Sequence, residues 1–100
     1  MIPSEFNILG HTIHVIVDND YCHNNECTGR FIEWENKIII ADRYKTPKTW
    51  RKYEQSIVEH TFYHELTHCI LYYAKSELWL DEKFVDTVGG LFHQFTITKK

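Results

Sequence analysis

One run of residues in this sequence has the types and spacing needed to bind a metal: His64-Glu65-Leu66-Thr67-His68. Residues four apart on an α-helix are rotated by about 400°, so His64 and His68 would lie one above the other on a single face. Two imidazoles arranged in this way can bind one Zn²⁺ at about 2.0–2.1 Å. Glu65 is rotated by about 100° from His64, so we expect it to reach a water on the metal and not the metal itself.

This HExxH pattern is typical of metal-dependent peptidases. A carboxylate beside a metal-activated water can take its proton and later pass it to a leaving amine. The pattern fixes only three residues, and the chain contains seven histidines. The alternative is that His64 and His68 are ordinary polar residues of a helix, so the surrounding sequence must supply both a helix and a third ligand.

The segment around the motif favours a helix. Residues 51–74 contain no Pro or Gly, and their apolar residues recur at steps of three and four. One apolar stripe is formed by Val58, Phe62, Leu66, Cys69 and Tyr73. We expect this stripe to face a core, with the histidines on the other side of the helix.

A second helix is predicted over residues 81–96, with Asp81 as its N-cap. Its apolar stripe is Phe84, Val88, Leu91 and Phe95, and its other face carries Glu82, Asp86, Gly89, Gly90 and His93. We interpret Glu82 as the third zinc ligand, with Glu77 as a weaker rival. Asp86 would then accept a hydrogen bond from the free ring N–H of a ligand histidine. The glycines would allow the two helices to approach closely.

These residues carry a family resemblance. The HELTH run followed by Glu82-Lys83-Phe84-Val85-Asp86 resembles the gluzincin metallopeptidases. The resemblance implies zinc ligands His64, His68 and Glu82, a catalytic Glu65 and a supporting Asp86. It also implies a zincin-like fold in which an edge strand beside the motif helix binds an extended peptide. The chain is similar as well to short HExxH proteins of bacteriophages and prophages, and its gap from His68 to Glu82 is shorter than in the large gluzincins.

The predicted fold class is α+β, a single domain over residues 1–100 in which a small antiparallel sheet precedes the two helices. Residues 1–41 are mostly strands by their alternation. Residues 6–9 and 12–17 suggest one hairpin with a bend at Gly10, and residues 29–34 and 37–41 suggest a second. One strand of this second hairpin is the candidate for peptide binding. Residues 18–28 and 42–50 are predicted to be loops.

Composition limits the other possibilities. The net charge of −3 disfavours nonspecific nucleic-acid binding, and no window is apolar enough to span a membrane. Three cysteines, an odd number, disfavour a disulfide framework and favour the cytoplasm. Cys22, His23 and Cys27 suggest a second metal site only weakly. We expect His60 at the rim of the main site and a packing or hydrogen-bonding role for His93.

Two functions follow from these patterns. The first is a zinc-dependent peptidase that acts on an extended peptide or protein substrate, with Glu65 as general base and then general acid. The second is a binding or regulatory module of phage or prophage type, in which zinc mainly holds the two helices together.

Overall fold

The N-terminal half of the chain forms a four-stranded sheet in the computed structural model, which describes residues 2–100. Its strands are β1 (Glu5–Ile8), β2 (His11–Val17), β3 (Gly29–Ile32) and β4 (Lys37–Ile40), in the order β1-β2-β4-β3. The β1–β2 and β3–β4 hairpins are antiparallel, but β2 and β4 are parallel. The second strands of the two hairpins, β2 and β4, lie side by side at the centre of the sheet. Because these two strands are parallel, the sheet is mixed and not purely antiparallel as predicted.

Two segments that were predicted as loops contain regular structure. Residues 18–28 include a short helix α1 (Asn19–Asn24), and the Asp18 side chain caps it by accepting the Tyr21 N–H at 2.9 Å. Residues 42–50 include strand β5 (Arg43–Lys45), which pairs antiparallel with β6 (Trp50–Lys52) in a separate hairpin. Both predictions were wrong because elements of three to six residues are too short to show a clear hydrophobic period.

Two long helices complete the α+β fold, which confirms the predicted class. Helix α2 (Gln55–Tyr73) starts later than predicted because residues 50–52 belong to β6. A 3₁₀ turn (Glu77–Leu80) leads to helix α3 (Glu82–Thr98). The Asp81 side chain caps α3, as predicted, by accepting the Phe84 N–H at 3.0 Å. Within residues 2–100, none of the helices has the length and apolar character needed to cross a membrane.

The core lies between α2 and one face of the sheet. The predicted stripe of α2 supplies buried Val58, Phe62 and Cys69, while Leu66 and Tyr73 pack at its margin. The sheet supplies the buried side chains of Ile13, Phe31, Ile38 and Ile40. Burial of these apolar groups is the main stabilising contribution to the fold, and it fixes α2 against β3 and β4.

Three of the four residues in the apolar stripe of α3 are exposed. Phe84, Leu91 and Phe95 are 36%, 60% and 64% exposed, whereas Val85, Gly89 and His93 are buried. The buried residues lie on the polar and glycine-containing side of the helix, which faces α2. Close backbone contact and polar contacts with α2 therefore determine how α3 is rotated, and they outweigh its apolar stripe.

Candidate metal centre

Helix α2 brings His64, Glu65 and His68 together at a cleft of about 1280 Å³. One possible ligand atom from each of these residues lies within 4.8 Å of the others, so the group could hold a metal ion. The two imidazoles are one helical turn apart, with ring centroids separated by 5.0 Å. Strands β3 and β5 border the cleft together with α2 and the start of α3.

Glu82, in the first turn of α3, contacts both histidines. Its Oε2 lies 3.1 Å from His64 Nε2, and its Oε1 lies 3.0 Å from His68 Nε2. Glu65 and Glu82 are thus both close enough to compete as the third ligand. Glu82 faces the Nε2 atom of each imidazole, whereas the Glu65 carboxylate accepts a hydrogen bond from the Phe31 N–H of strand β3. The Glu82 side chain is 70% exposed, so the centre opens to solvent on this side.

The other nitrogen of each imidazole faces an acceptor. His68 Nδ1 lies 2.5 Å from the carbonyl oxygen of Trp79, and His64 Nδ1 lies 3.3 Å from Asp86 Oδ1. A carbonyl oxygen can only accept a hydrogen bond, so Nδ1 of His68 must carry the proton. His64 lies between two carboxylates, Asp86 at Nδ1 and Glu82 at Nε2, so either of its ring nitrogens can donate. Acceptors of this kind typically orient metal-binding histidines.

These contacts determine what the Nε2 atoms can bind. In neutral His68, Nε2 presents a lone pair toward the Glu82 carboxylate, which is itself only an acceptor. A metal ion between His68 Nε2 and the Glu82 carboxylate, which lie 3.0 Å apart, would satisfy both acceptors. Two imidazole nitrogens and one carboxylate oxygen are a ligand set that fits Zn²⁺.

Glu65 is buried, with only 7% of the residue exposed. Burial raises its pKa to about 7, and this effect is opposed by the nearby His68 and by the backbone N–H of Phe31. A carboxyl group with a pKa near neutrality can both take and release a proton at physiological pH. Glu65 is therefore suited to proton transfer at this position.

Strand β3 lies directly against α2 because residue 29 is glycine. A Cβ atom at Gly29 would lie 2.6 Å from Thr61 Cγ2 and 3.2 Å from Glu65 Cγ. β3 is last in the strand order, so its outer edge has no strand partner among residues 2–100. Ala41 N–H bonds to Thr28 O, and by the alternation of an antiparallel ladder the polar groups of Gly29 and Phe31 point to this outer edge.

A second glycine allows α3 to approach the centre. A Cβ atom at Gly89 would lie 3.0 Å from His64 Cα and 3.1 Å from the carbonyl oxygen of Tyr63. The same atom at Gly90 would meet only His60 Cε1, at an ordinary 3.5 Å. Close approach of the helices, expected for this glycine pair, therefore depends on Gly89.

The remaining candidates lie outside the centre. His60 is at the rim, with its side chain 45% exposed and Nε2 3.7 Å from Asp86 Oδ1. His93 stacks on Tyr63, and its Nε2 lies 3.4 Å from Glu59 Oε1. The described residues contain no second group of three metal-ligating side chains, at Cys22, His23 and Cys27 or elsewhere. Sequence reasoning missed the Trp79 carbonyl and the Phe31 N–H, because backbone groups leave no residue signature.

No family model, curated protein or solved structure matches this chain.

Proposed function

We propose that the protein is a zinc-dependent peptidase in which His64, His68 and Glu82 hold Zn²⁺. The observation that carries this proposal is the convergence of two Nε2 atoms on the Glu82 carboxylate while the Nδ1 atoms face acceptors. Three protein ligands beside an open cleft are typical of catalytic zinc, whereas structural zinc usually has four.

The chain supplies the groups that this reaction needs. Bound Zn²⁺ would act as a Lewis acid that polarises a peptide carbonyl and activates water. The Glu65 carboxylate would take the proton of this water and deliver it to the leaving amine. The Phe31 N–H stabilises the ionised form of Glu65. Asp86 and the Trp79 carbonyl orient the two imidazoles.

The substrate class follows from the outer edge of β3. An extended polypeptide can pair with the N–H and carbonyl of Gly29 and with the carbonyl of Phe31, which point away from β4, as in other cases of strand addition. This pairing would bring the peptide alongside Glu65, because Gly29 packs against that side chain. β3 is thus the strand of the second hairpin that we assign to substrate binding.

A metal-stabilised binding module is the second candidate. Helix α3 buries only Val85, Gly89 and His93, and several of its large apolar side chains are exposed. A metal that joins His64 and His68 of α2 to Glu82 of α3 would then contribute much of the attachment of this helix. The two candidates share the same ligands and differ in whether Glu65 acts chemically.

The experiment compares wild type with Glu65→Gln, and with Glu33→Gln as a control for a cleft carboxylate outside the centre. Each protein is loaded with zinc, its metal content is measured, and unfolded protein substrates are searched for new termini by mass spectrometry. We expect all three proteins to bind one zinc, and only Glu65→Gln to lose cleavage. Cleavage retained by Glu65→Gln would refute the mechanism, and zinc binding by a wild type that cleaves nothing would favour the binding module.

A further inference from the structure

Positive charge is concentrated in one element of this acidic chain. Residues 43–52, which we call the basic hairpin, contain five of the eleven Lys and Arg residues and none of the fourteen Asp and Glu residues. They comprise β5, β6 and the turn between them. The chain as a whole has a net charge of −3, so the basic hairpin is a local exception.

The strand register of the basic hairpin brings like charges together. Arg43 lies directly opposite Lys52, and Lys45 follows on the same face, opposite Trp50. Lys45 Nζ lies 5.6 Å from the Trp50 ring centroid. No cation of the hairpin forms a salt bridge with a carboxylate in the described part of the chain. Like charges directly opposite each other are destabilising, and an anionic partner would relieve this repulsion.

The base of the hairpin is fixed by α1. Asn19 Oδ1 accepts the backbone N–H groups of Asp42 and Arg43, both at 2.9 Å. Asn19 Nδ2 donates to Asp42 Oδ1 at 2.8 Å, so this carboxylate is engaged by an amide and not by Arg43. Tyr44 packs on Tyr53, with ring centroids 4.9 Å apart. The cations are therefore presented from a fixed base, which lowers the entropy cost of binding.

The basic hairpin borders the same cleft as the candidate metal centre. Arg43 and Lys45 line it from β5, and Arg30 lines it from β3. Strand β4 ends opposite Gly29, and the hairpin follows β4 in the chain. Its cations therefore lie near the Gly29 end of β3. A peptide paired with β3 would reach them on extending past Gly29.

We propose that the basic hairpin makes the protein selective for acidic segments of polypeptide, which dock against Arg43 and Lys45. This inference rests on the proposed peptidase function and specifies its substrate. A peptide can confine its acidic residues to one end of the cleft. A nucleic-acid strand carries charge along its whole length and would also meet the Glu82 and Asp86 carboxylates, which border the same cleft.

The test is a binding measurement on zinc-loaded Glu65→Gln protein, which should not cleave its ligand. Two rhodamine-labelled peptides share an apolar centre and carry either a Glu cluster or a Gln cluster beside it. Fluorescence polarisation at low salt should show the Glu peptide binding about three- to tenfold more tightly, as expected for two exposed charge contacts. The difference should shrink as salt is added.

Matched charge variants locate the effect. Arg43→Gln with Lys45→Gln should abolish the preference for the Glu peptide. Lys99→Gln with Lys100→Gln, which removes the same charge outside the cleft, should preserve it. Equal binding of the two peptides, equal effects of the two variant pairs, or tighter competition by an oligonucleotide would overturn the inference.

The binding experiment tests the docking surface independently of the proposed peptidase activity. Acid-selective binding by a wild type that cleaves no peptide would support the hairpin as a docking surface and contradict the peptidase. Cleavage without any acid preference would contradict the docking surface and leave the peptidase in place.

Discussion

The close approach of α3 to α2 makes a sharp prediction for two adjacent glycines. Ala at either position should gain about 1 kcal/mol of helix propensity. At Gly89, however, the new Cβ would lie 3.0 Å from His64 Cα, a backbone atom that cannot move without moving the helix. Overpacking of this kind costs about 1–3 kcal/mol. Gly90→Ala should therefore stabilise the protein, and Gly89→Ala should be less stable than Gly90→Ala by about 1–3 kcal/mol.

The assay is urea unfolding of both variants, followed by circular dichroism, with and without zinc. Because Gly89→Ala would push His64 away from the helix that carries Glu82, we also expect it to weaken zinc binding by about tenfold, as measured by competition with a chelating dye. Gly90→Ala, with only His60 Cε1 at 3.5 Å, is the control. Equal stability and equal zinc affinity of the two variants would refute the reasoning.

Three further predictions concern single side chains. Glu82→Gln should weaken zinc binding by about tenfold to a hundredfold in the dye competition assay, whereas Glu77→Gln should leave the zinc affinity unchanged. Equal effects of the two substitutions would show that Glu82 is not a zinc ligand. Iodoacetamide should modify Cys27 in the native protein well before Cys69, because Cys69 is buried and burial raises its pKa to about 12; peptide mass mapping would show the reverse order if this is wrong. Burial raises the pKa of Glu65 to about 7, so the chelated protein should lose stability as pH rises from about 4.5 to 7. Glu65→Gln should lack this loss and be more stable by about 3 kcal/mol at pH 8, and parallel pH profiles of the two proteins would contradict it.

Sequence patterns predicted the local features that depend on neighbouring residues. The helix around His64, the Asp81 cap and both N-terminal hairpins follow from periodicity, capping and turn chemistry. The parallel pairing of β2 with β4 was not predicted. Each hairpin is indicated by its own residues, but these residues do not indicate which strands of the two hairpins pair with each other.

Helix α3 shows why hydrophobic pattern alone fails for a site helix. Apolar side chains usually face a core, yet Phe84 and Leu91 of its apolar stripe are exposed. The face that packs on α2 is selected by the missing side chain of Gly89 and by the contacts of Glu82 and Asp86 with His64. These contacts join specific residues of two helices, so the hydrophobic pattern of one helix alone does not predict them.

The most direct test of the central claim is anomalous diffraction at the zinc absorption edge from crystals of the zinc-loaded protein. We expect one strong peak within about 2.0–2.2 Å of His64 Nε2, His68 Nε2 and a Glu82 carboxylate oxygen, with Glu65 beside it but not bound to it. A protein that stays free of zinc, or a metal whose ligands do not include Glu82, would contradict the proposed centre.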